Sequence, residues 1–499
     1  MGRQERLAHE SFVTNKEGGF PEEIVMISCI PMLSASLHGF LCRTSVVASL
    51  RRNLCATALD ILLQCVPLIL AVTMLSSYVA CITFSMLAAS LGARVLHHLL
   101  RQRPQRAQKA QRNRKAPGKK GPPSTGASAR PTWSSVVTAA RSHVLLGAAV
   151  FILGVDFPAF PRRLAKTEQS GFSLMDTGVG FFVALAAASS PEAKGAPSSG
   201  GVQNVARAAK GSVALVLLGL SRVATVKSLD YQSPVLEYGV HWNFFFTLAF
   251  TKVAASVVYA ILPARLDWLV GFVLSVGYEA VLQSTQLNAF LDDGNRDGLV
   301  AANKEGLASL AGFLALYLIV VALSRRLLYG ARSCIRDWVA MVFETGAVAL
   351  LGLALTYVVH SDVAPVSRRL ANLPYCLWTV RTGARDFTIV CFVLLQIADV
   401  LLCQDGMQVD FSQLQVLHKA KDAARESQEP NLLWYSINFN AMPMFLLVNL
   451  LTGLVNIVLR PRTTGTLSAV LVLVVYISVA AFTTVFLYSR KMKLKLPFT

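Results

Sequence analysis

VDFPAFPRRLAKTEQSGFSLMDTGVG, running from Val155 to Gly180, packs Asp156, Arg162, Arg163, Lys166 and Asp176 between two runs that are otherwise soluble in lipid. Asp156 closes an apolar segment that begins near Val136, and Pro158 and Pro161 prevent that helix from continuing. Pro161 suits a first helical position. A turn starting there would set Arg162 and Arg163 four and three residues before Lys166, so that three cations share one face and call for an anion. Beyond Gly171 the chain turns apolar again, with Asp176, Gly178 and Gly180 inside the first turns. An acid at that depth is costly, which makes function its default explanation.

The composition around this stretch is that of a polytopic membrane protein. Hydrophobic residues make up 54% of the 499 positions, charged residues 15%, and the mean hydropathy is +0.51. The net charge of +19 reads as basic loops at span ends and contact with anionic membrane lipids, with no call for nucleic acid. The nine cysteines are scattered, mostly in apolar runs such as those of Cys65, Cys81 and Cys391, and show no CxxC or Cys/His spacing. Neither a disulfide framework nor a metal site is expected. The acidic N-terminal stretch lacks a clean apolar core, so the first span is expected to act as its own insertion signal.

Runs long enough to cross the hydrocarbon of a bilayer fall at 24–42, 54–75, 78–99, 134–155, 171–190, 212–226, 242–262, 268–283, 306–323, 338–359, 387–403, 439–459 and 467–488. The expected fold is therefore all-α, a single integral-membrane domain over 1–499 with about 13 transmembrane helices. Residues 101–131 carry ten Lys or Arg and no apolar face. They read as a disordered cytosolic loop. Threading the spans from that loop puts the C-terminus in the cytosol. It also gathers four polar clusters on the opposite side: VDFPAFPRRLAK, SRVATVKSLDYQSPVLEYGVHWNFFF, NRDGLVAANKEGL and SRRLANLPYCLW. Arg162, Arg163, Lys166, Arg368 and Arg369 thus lie where the positive-inside rule disfavours them, and a single composite site at that boundary is expected.

These same clusters carry a family resemblance. VDFPAFPRRLAKTE followed by SLMDTGVG, LDYQ followed by EYGVHWNFFF, then SRRLANLPY and LLTGLVN, with ESFVTN near the start, resemble the inositol acyltransferases of glycosylphosphatidylinositol (GPI) anchor biosynthesis across nearly the whole chain. The resemblance implies an enzyme of the endoplasmic reticulum membrane with its active-site loops in the lumen. It implies transfer of a fatty acyl group, usually palmitoyl, from palmitoyl-CoA to the inositol 2-hydroxyl of glucosaminyl-phosphatidylinositol. Acyl-CoA is then a co-substrate, and no permanently bound cofactor is implied. Lys304 stands in ANKEG where the family more often has Arg.

Acyl transfer from a thioester to an alcohol requires a base, a stabiliser for the oxyanion and an exit for thiolate. The resemblance implies Asp156 and Lys166 as the catalytic pair. By residue type they suit base and electrophile, and equally an ion pair that fastens the loop. Arg162 and Arg163 match phosphate, on the lipid or on CoA, and also match interfacial anchoring. Asp176, Arg222 and Lys227 sit in or at the edge of apolar runs and should find partners inside the bundle. Tyr231, Glu237, Tyr238, His241, Trp242 and Asn243 concentrate hydrogen-bonding groups ahead of the ridge Phe244 to Phe246, with His241 the rival base. Asn303, Glu305, Arg368, Arg369 and Asn372 join the substrate-binding set because they face the same compartment. No GxSxG, P-loop or dinucleotide motif is present, which favours direct transfer over a covalent acyl-enzyme. A polytopic lipid transporter or flippase is the competing class, although no internal repeat supports it. A protease added outside sealed microsomes is expected to cut the Arg101 to Pro131 loop; protection until detergent is added would reverse the threading.

Overall fold

The computed structural model describes residues 18–41, 54–112, 133–195, 201–228, 235–284, 286–327, 329, 335–382 and 432–494. Within them the chain is helical and contains no strand. The helices are α1 (Pro21–Leu41), α2 (Leu54–Gln64), α3 (Val66–Ala71), α4 (Val79–Arg112), α5 (Trp133–Gly154), α6 (Thr177–Ser189), α7 (Gly201–Ser228), α8 (Val235–Tyr238), α9 (Phe244–Ile261) and α10 (Asp267–Ser284). They continue as α11 (Leu287–Asp292), α12 (Gly298–Ala302), α13 (Lys304–Leu327), α14 (Ile335–Asp362), α15 (Leu373–Thr382), α16 (Leu432–Phe439), α17 (Ala441–Val458) and α18 (Thr466–Ser489). Among the described residues, seven stretches are long and apolar enough to cross a membrane, and those of α2–α3, α5 and α6 are apolar but shorter. Helices cover twelve of the expected spans; the run at 387–403 lies outside the described residues.

Two expectations change. α4 runs on to Arg112, twelve residues into the segment read as structureless. Its Gln, Arg, Ala and Lys residues are strong helix formers, and they extend a helix already nucleated in the span. The rest of the basic loop lies outside the described residues. The helix expected from Pro161 is a single 3-10 turn, Arg162–Leu164, because Ala165 adopts an extended conformation (ψ 167°). The shared face of Arg162, Arg163 and Lys166 therefore does not form.

Hydrogen bonds define two ends of the bundle. At one, Gly19 N–H donates to Phe172 C=O, Gly171 N–H to Val366 C=O and Val240 N–H to Ala302 C=O, and Ser367 Oγ reaches Gln169 C=O. At the other, Tyr329 Oη donates to Ala188 C=O, Asn438 Nδ2 to Thr138 C=O and Asn440 Nδ2 to Met492 C=O. All four polar clusters meet at the first end.

The segment between α5 and α6 is folded into that end as a plug. Phe157, Phe160, Leu164 and Ala165 are fully buried in the main core with Phe313, Tyr375 and Trp378. Each large side chain so buried contributes about 1.5–3 kcal/mol. Close backbone approach completes the seat. A Cβ on Gly180 would meet Thr379 and the Tyr375 hydroxyl, and one on Gly312 would collide with the carbonyl of Ala371, itself at φ +49°. Gly312→Ala should therefore displace the turn that carries Arg368 and Arg369, at about 1–3 kcal/mol. Thermal unfolding in detergent should show a lowered midpoint for Gly312→Ala and an unchanged one for Gly346→Ala, where nothing lies within 4 Å of the added carbon.

Candidate functional site

A chain of alternating charges occupies the polar end. Asp176 stands at the head of α6, and its Oδ2 accepts from both the backbone N–H (3.1 Å) and the hydroxyl (2.6 Å) of Thr167. Arg368 Nε donates to Asp176 Oδ1 at 2.7 Å. The same guanidinium reaches Glu237 Oε1 through Nη1 at 3.0 Å and lies over the Tyr238 ring. Lys166 Nζ meets that carboxylate oxygen at 2.9 Å. Exposure rises along the chain, from 4% at the side chains of Asp176 and Arg368 to 41% at Lys166. Lys166 is thus the member that opens to the outside. Burial alone would raise the Glu237 carboxyl, but the fields of Lys166 and Arg368, aided by Arg222, hold it down to about 2. Burial and the neighbouring Glu237 push the Tyr238 phenol up, so it stays a neutral hydroxyl.

Asp156 belongs to a second cluster. Its Oδ2 accepts from Asn456 Nδ2 of α17 at 2.8 Å, and it lies in the electrostatic field of Arg162. The Arg162 guanidinium is wrapped by the carbonyls of Val155, Phe157 and Phe160. Burial lowers it to about 10, a fall that Asp156 opposes. Arg163 makes a two-pronged contact with Glu23 of α1, at 2.8 and 2.7 Å. Both forks expected to take phosphate are thus engaged by the protein: Arg162 because a backbone turned inward without regular structure needs donors for its carbonyls, and Arg163 by the carboxylate of Glu23. The cation held close to Lys166's carboxylate partner is Arg368, and the one acting on Asp156 is Arg162.

Most of the remaining expected residues make contacts within the protein. Arg369 pairs with Asp292 at 2.6 Å, and Glu305 takes a bidentate pair from Arg296. Asn372 Oδ1 accepts the Ser367 N–H and its Nδ2 donates to Pro365 C=O, closing the loop that presents Arg368. Asn303 Oδ1 accepts the His241 N–H, so the backbone of His241 is held while the residue itself is exposed. Asn243 caps α9 through the Phe245 N–H, and Trp242 Nε1 donates to Thr247. Lys304 is satisfied by the carbonyls of Phe290, Asp293 and Asn295. Arg222 is exposed on α7, and Lys227 falls in the last turn of the same helix. Tyr231 lies outside the described residues. Among those described, no group of three or more His, Cys, Asp or Glu side chains converges to hold a metal ion.

Sequence reasoning missed Asn456, although its motif LLTGLVN stands out, because nothing local links it to a loop 300 residues earlier. It also missed a cavity of about 840 Å³, within the range of ligand sites. Leu145, Phe182, Phe244, Phe245, Leu248 and Phe445 supply apolar walls between α5, α6, α9 and α17. Arg141, Arg207, Lys252, Arg265 and Arg325 also line it, against the single acid Glu192. Much of its polar lining lies at the end opposite the charge chain, where Arg325 ties together Glu192 C=O, Ala264 C=O and Asp267 Oδ2. Phe244 and Phe245 directly follow Asn243, so the cavity reaches toward the polar end. Arg141 and Lys252 stand inside apolar runs, a signal that the hydropathy pattern offered.

The sequence profile of the GWT1 family matches residues 5–487. The chain belongs to the GWT1 family. Glucosaminyl-phosphatidylinositol-acyltransferase PIGW of Mus musculus is 30% identical over 485 residues, covering 94% of each chain. The protein of the same name from Bos taurus is 32% identical over 469 residues, 90% of this chain and 91% of that one. GPI-anchored wall transfer protein 1 of Aspergillus oryzae is 31% identical over 519 residues, covering 99% and 100%. The family suggested by the motifs is thus the family found by comparison.

In this GWT1-family protein the charge chain should govern stability. Arg368→Met would strand Asp176, and loss of one partner of a buried pair costs about 3–5 kcal/mol. The Glu237 carboxyl is held below its ordinary 4.5, so its stabilisation is complete above that pH and is lost as pH falls toward 2. Unfolding midpoints in detergent across this range should drop for the wild type, and Glu237→Gln should lack that component of the drop.

Proposed function

We propose that this chain is a glucosaminyl-phosphatidylinositol acyltransferase of GPI-anchor biosynthesis in the endoplasmic reticulum membrane. The acyl group, palmitoyl in the first instance, passes from palmitoyl-CoA to the inositol 2-hydroxyl. The observation that carries this reading is the pairing of a charge chain open at Lys166 with an apolar, cation-lined cavity that approaches it from the other end of the bundle. The acyltransferase names of the mouse and bovine relatives support it.

Acyl-CoA enters the cavity from the cytosolic side, its phosphates met by the arginines of the polar lining and its acyl chain lying against Leu145, Phe182, Leu248 and Phe445. The inositol phospholipid sits at the lumenal end. Asp156 takes the proton of the 2-hydroxyl as its oxygen attacks the thioester carbonyl. Lys166, held in place by Glu237, donates to the developing oxyanion. Collapse of the tetrahedral adduct forms the ester and breaks the carbon–sulfur bond, and the proton held by Asp156 leaves with the CoA thiolate. The chemistry needs no covalent enzyme intermediate.

Purified protein given labelled palmitoyl-CoA and glucosaminyl-phosphatidylinositol should form the acylated lipid; well-folded protein that transfers nothing would overturn the reading. Asp156→Asn and Lys166→Ala should each lower the rate by about 10² to 10⁴. The double variant should be little slower than the worse single one, since both groups act on one transition state. His241→Ala is expected to stay active.

A further inference from the structure

Asn456 lies on α17 one turn beyond Thr452, whose hydroxyl shares a hydrogen bond with Tyr476 of α18. The Tyr476 hydroxyl also donates to Val448 C=O, so the seam between α17 and α18 is fastened directly beside it. From this seam Asn456 reaches Asp156, at the C-terminal end of α5. The contact fixes the orientation of the amide: an ionised carboxylate only accepts, so the NH₂ group must face it. Asn456 Oδ1 is thereby turned inward, where it is buried and has no hydrogen-bond partner among the described residues. An asparagine serving the helix seam alone would pair both ends or be replaced by an apolar residue, since a buried, unpaired carbonyl is unfavourable. The orphaned oxygen is tolerated for the sake of the contact to Asp156.

We infer that Asn456 is the positioning residue for Asp156: it fixes the carboxylate's orientation from α17 and stabilises its ionised, proton-accepting form. The inference rests on the reading of Asp156 as general base. Among the described residues, Arg162 from its own loop, Tyr476 from α18 and Asn456 itself face Asp156. Of these Arg162 supplies charge, but its donors also bind three backbone carbonyls of the same loop and cannot be removed without unfolding it. Asn456 is the donor that can be changed by itself.

The test is the pH dependence of acyl transfer by the full-length protein in detergent, with palmitoyl-CoA and glucosaminyl-phosphatidylinositol as substrates. Removing a donor from a carboxylate destabilises its ionised form and raises its pKa, so the acid limb of kcat/KM should move to higher pH. For Asn456→Ala the expected shift is about one to two pH units, the equivalent of one hydrogen bond to a charged group. kcat near neutrality should fall about 10- to 100-fold, with KM for both substrates nearly unchanged. Asn456→Gln, which keeps the amide donor, should recover part of both effects, and in an Asp156→Asn background Asn456→Ala should change neither. An acid limb that stays in place, with any rate loss matched by a lower unfolding midpoint, would reduce Asn456 to a packing residue. If Asn456→Ala does not fold, Asn456→Ser is decided by the same readouts. Near-normal turnover of Asp156→Asn would instead overturn the general-base reading, whereas an inactive Asp156→Asn beside a wild-type Asn456→Ala would overturn this inference alone.

Discussion

The ion pair between Arg368 and Asp176 is the interaction on which the rest of the molecule depends. Both side chains are 4% exposed, so neither charge is stable without the other. Asp176 fixes the start of α6 and, through Thr167, the return of the plug segment. Arg368 fixes the turn before α15 and hands its remaining charge to Glu237, whose carboxylate then captures Lys166. Three segments far apart in sequence, those of Lys166 and Asp176, Glu237 and Arg368, are locked at one end of the bundle because each charge requires the next. The alternation also makes the outermost member a cation, Lys166, held in place by Glu237.

The plug between α5 and α6 works in the opposite way, by burying apolar rings rather than charges. Phe157 and Phe160 anchor it in the core, which forces the intervening carbonyls inward. Arg162 gathers those carbonyls. A residue type suited to substrate phosphate is here engaged by the backbone of its own loop. The cavity and the charge chain have α6 in common, with Asp176 at its head in the chain and Phe182 on its side in the cavity.

Membrane class, the positions of twelve helices and the convergence of four polar clusters were determined by the sequence itself. Each is written in local pattern: apolar runs of bilayer length, prolines and glycines at their ends, and charges too costly to leave in lipid. The motif residues Asp156, Lys166, Asp176, Glu237 and Arg368 were legible for the same reason. Tertiary structure alone decided who pairs with whom. Arg163 belongs to Glu23 and Asp156 to Asn456 because contacts across 140 and 300 residues leave no periodic trace in the chain. The turn at Arg162–Leu164 was equally out of reach, since local propensity favours a helix there and the burial of Phe157 and Phe160 overrides it. So was the cavity, which exists only as the space between helices whose packing no single segment specifies.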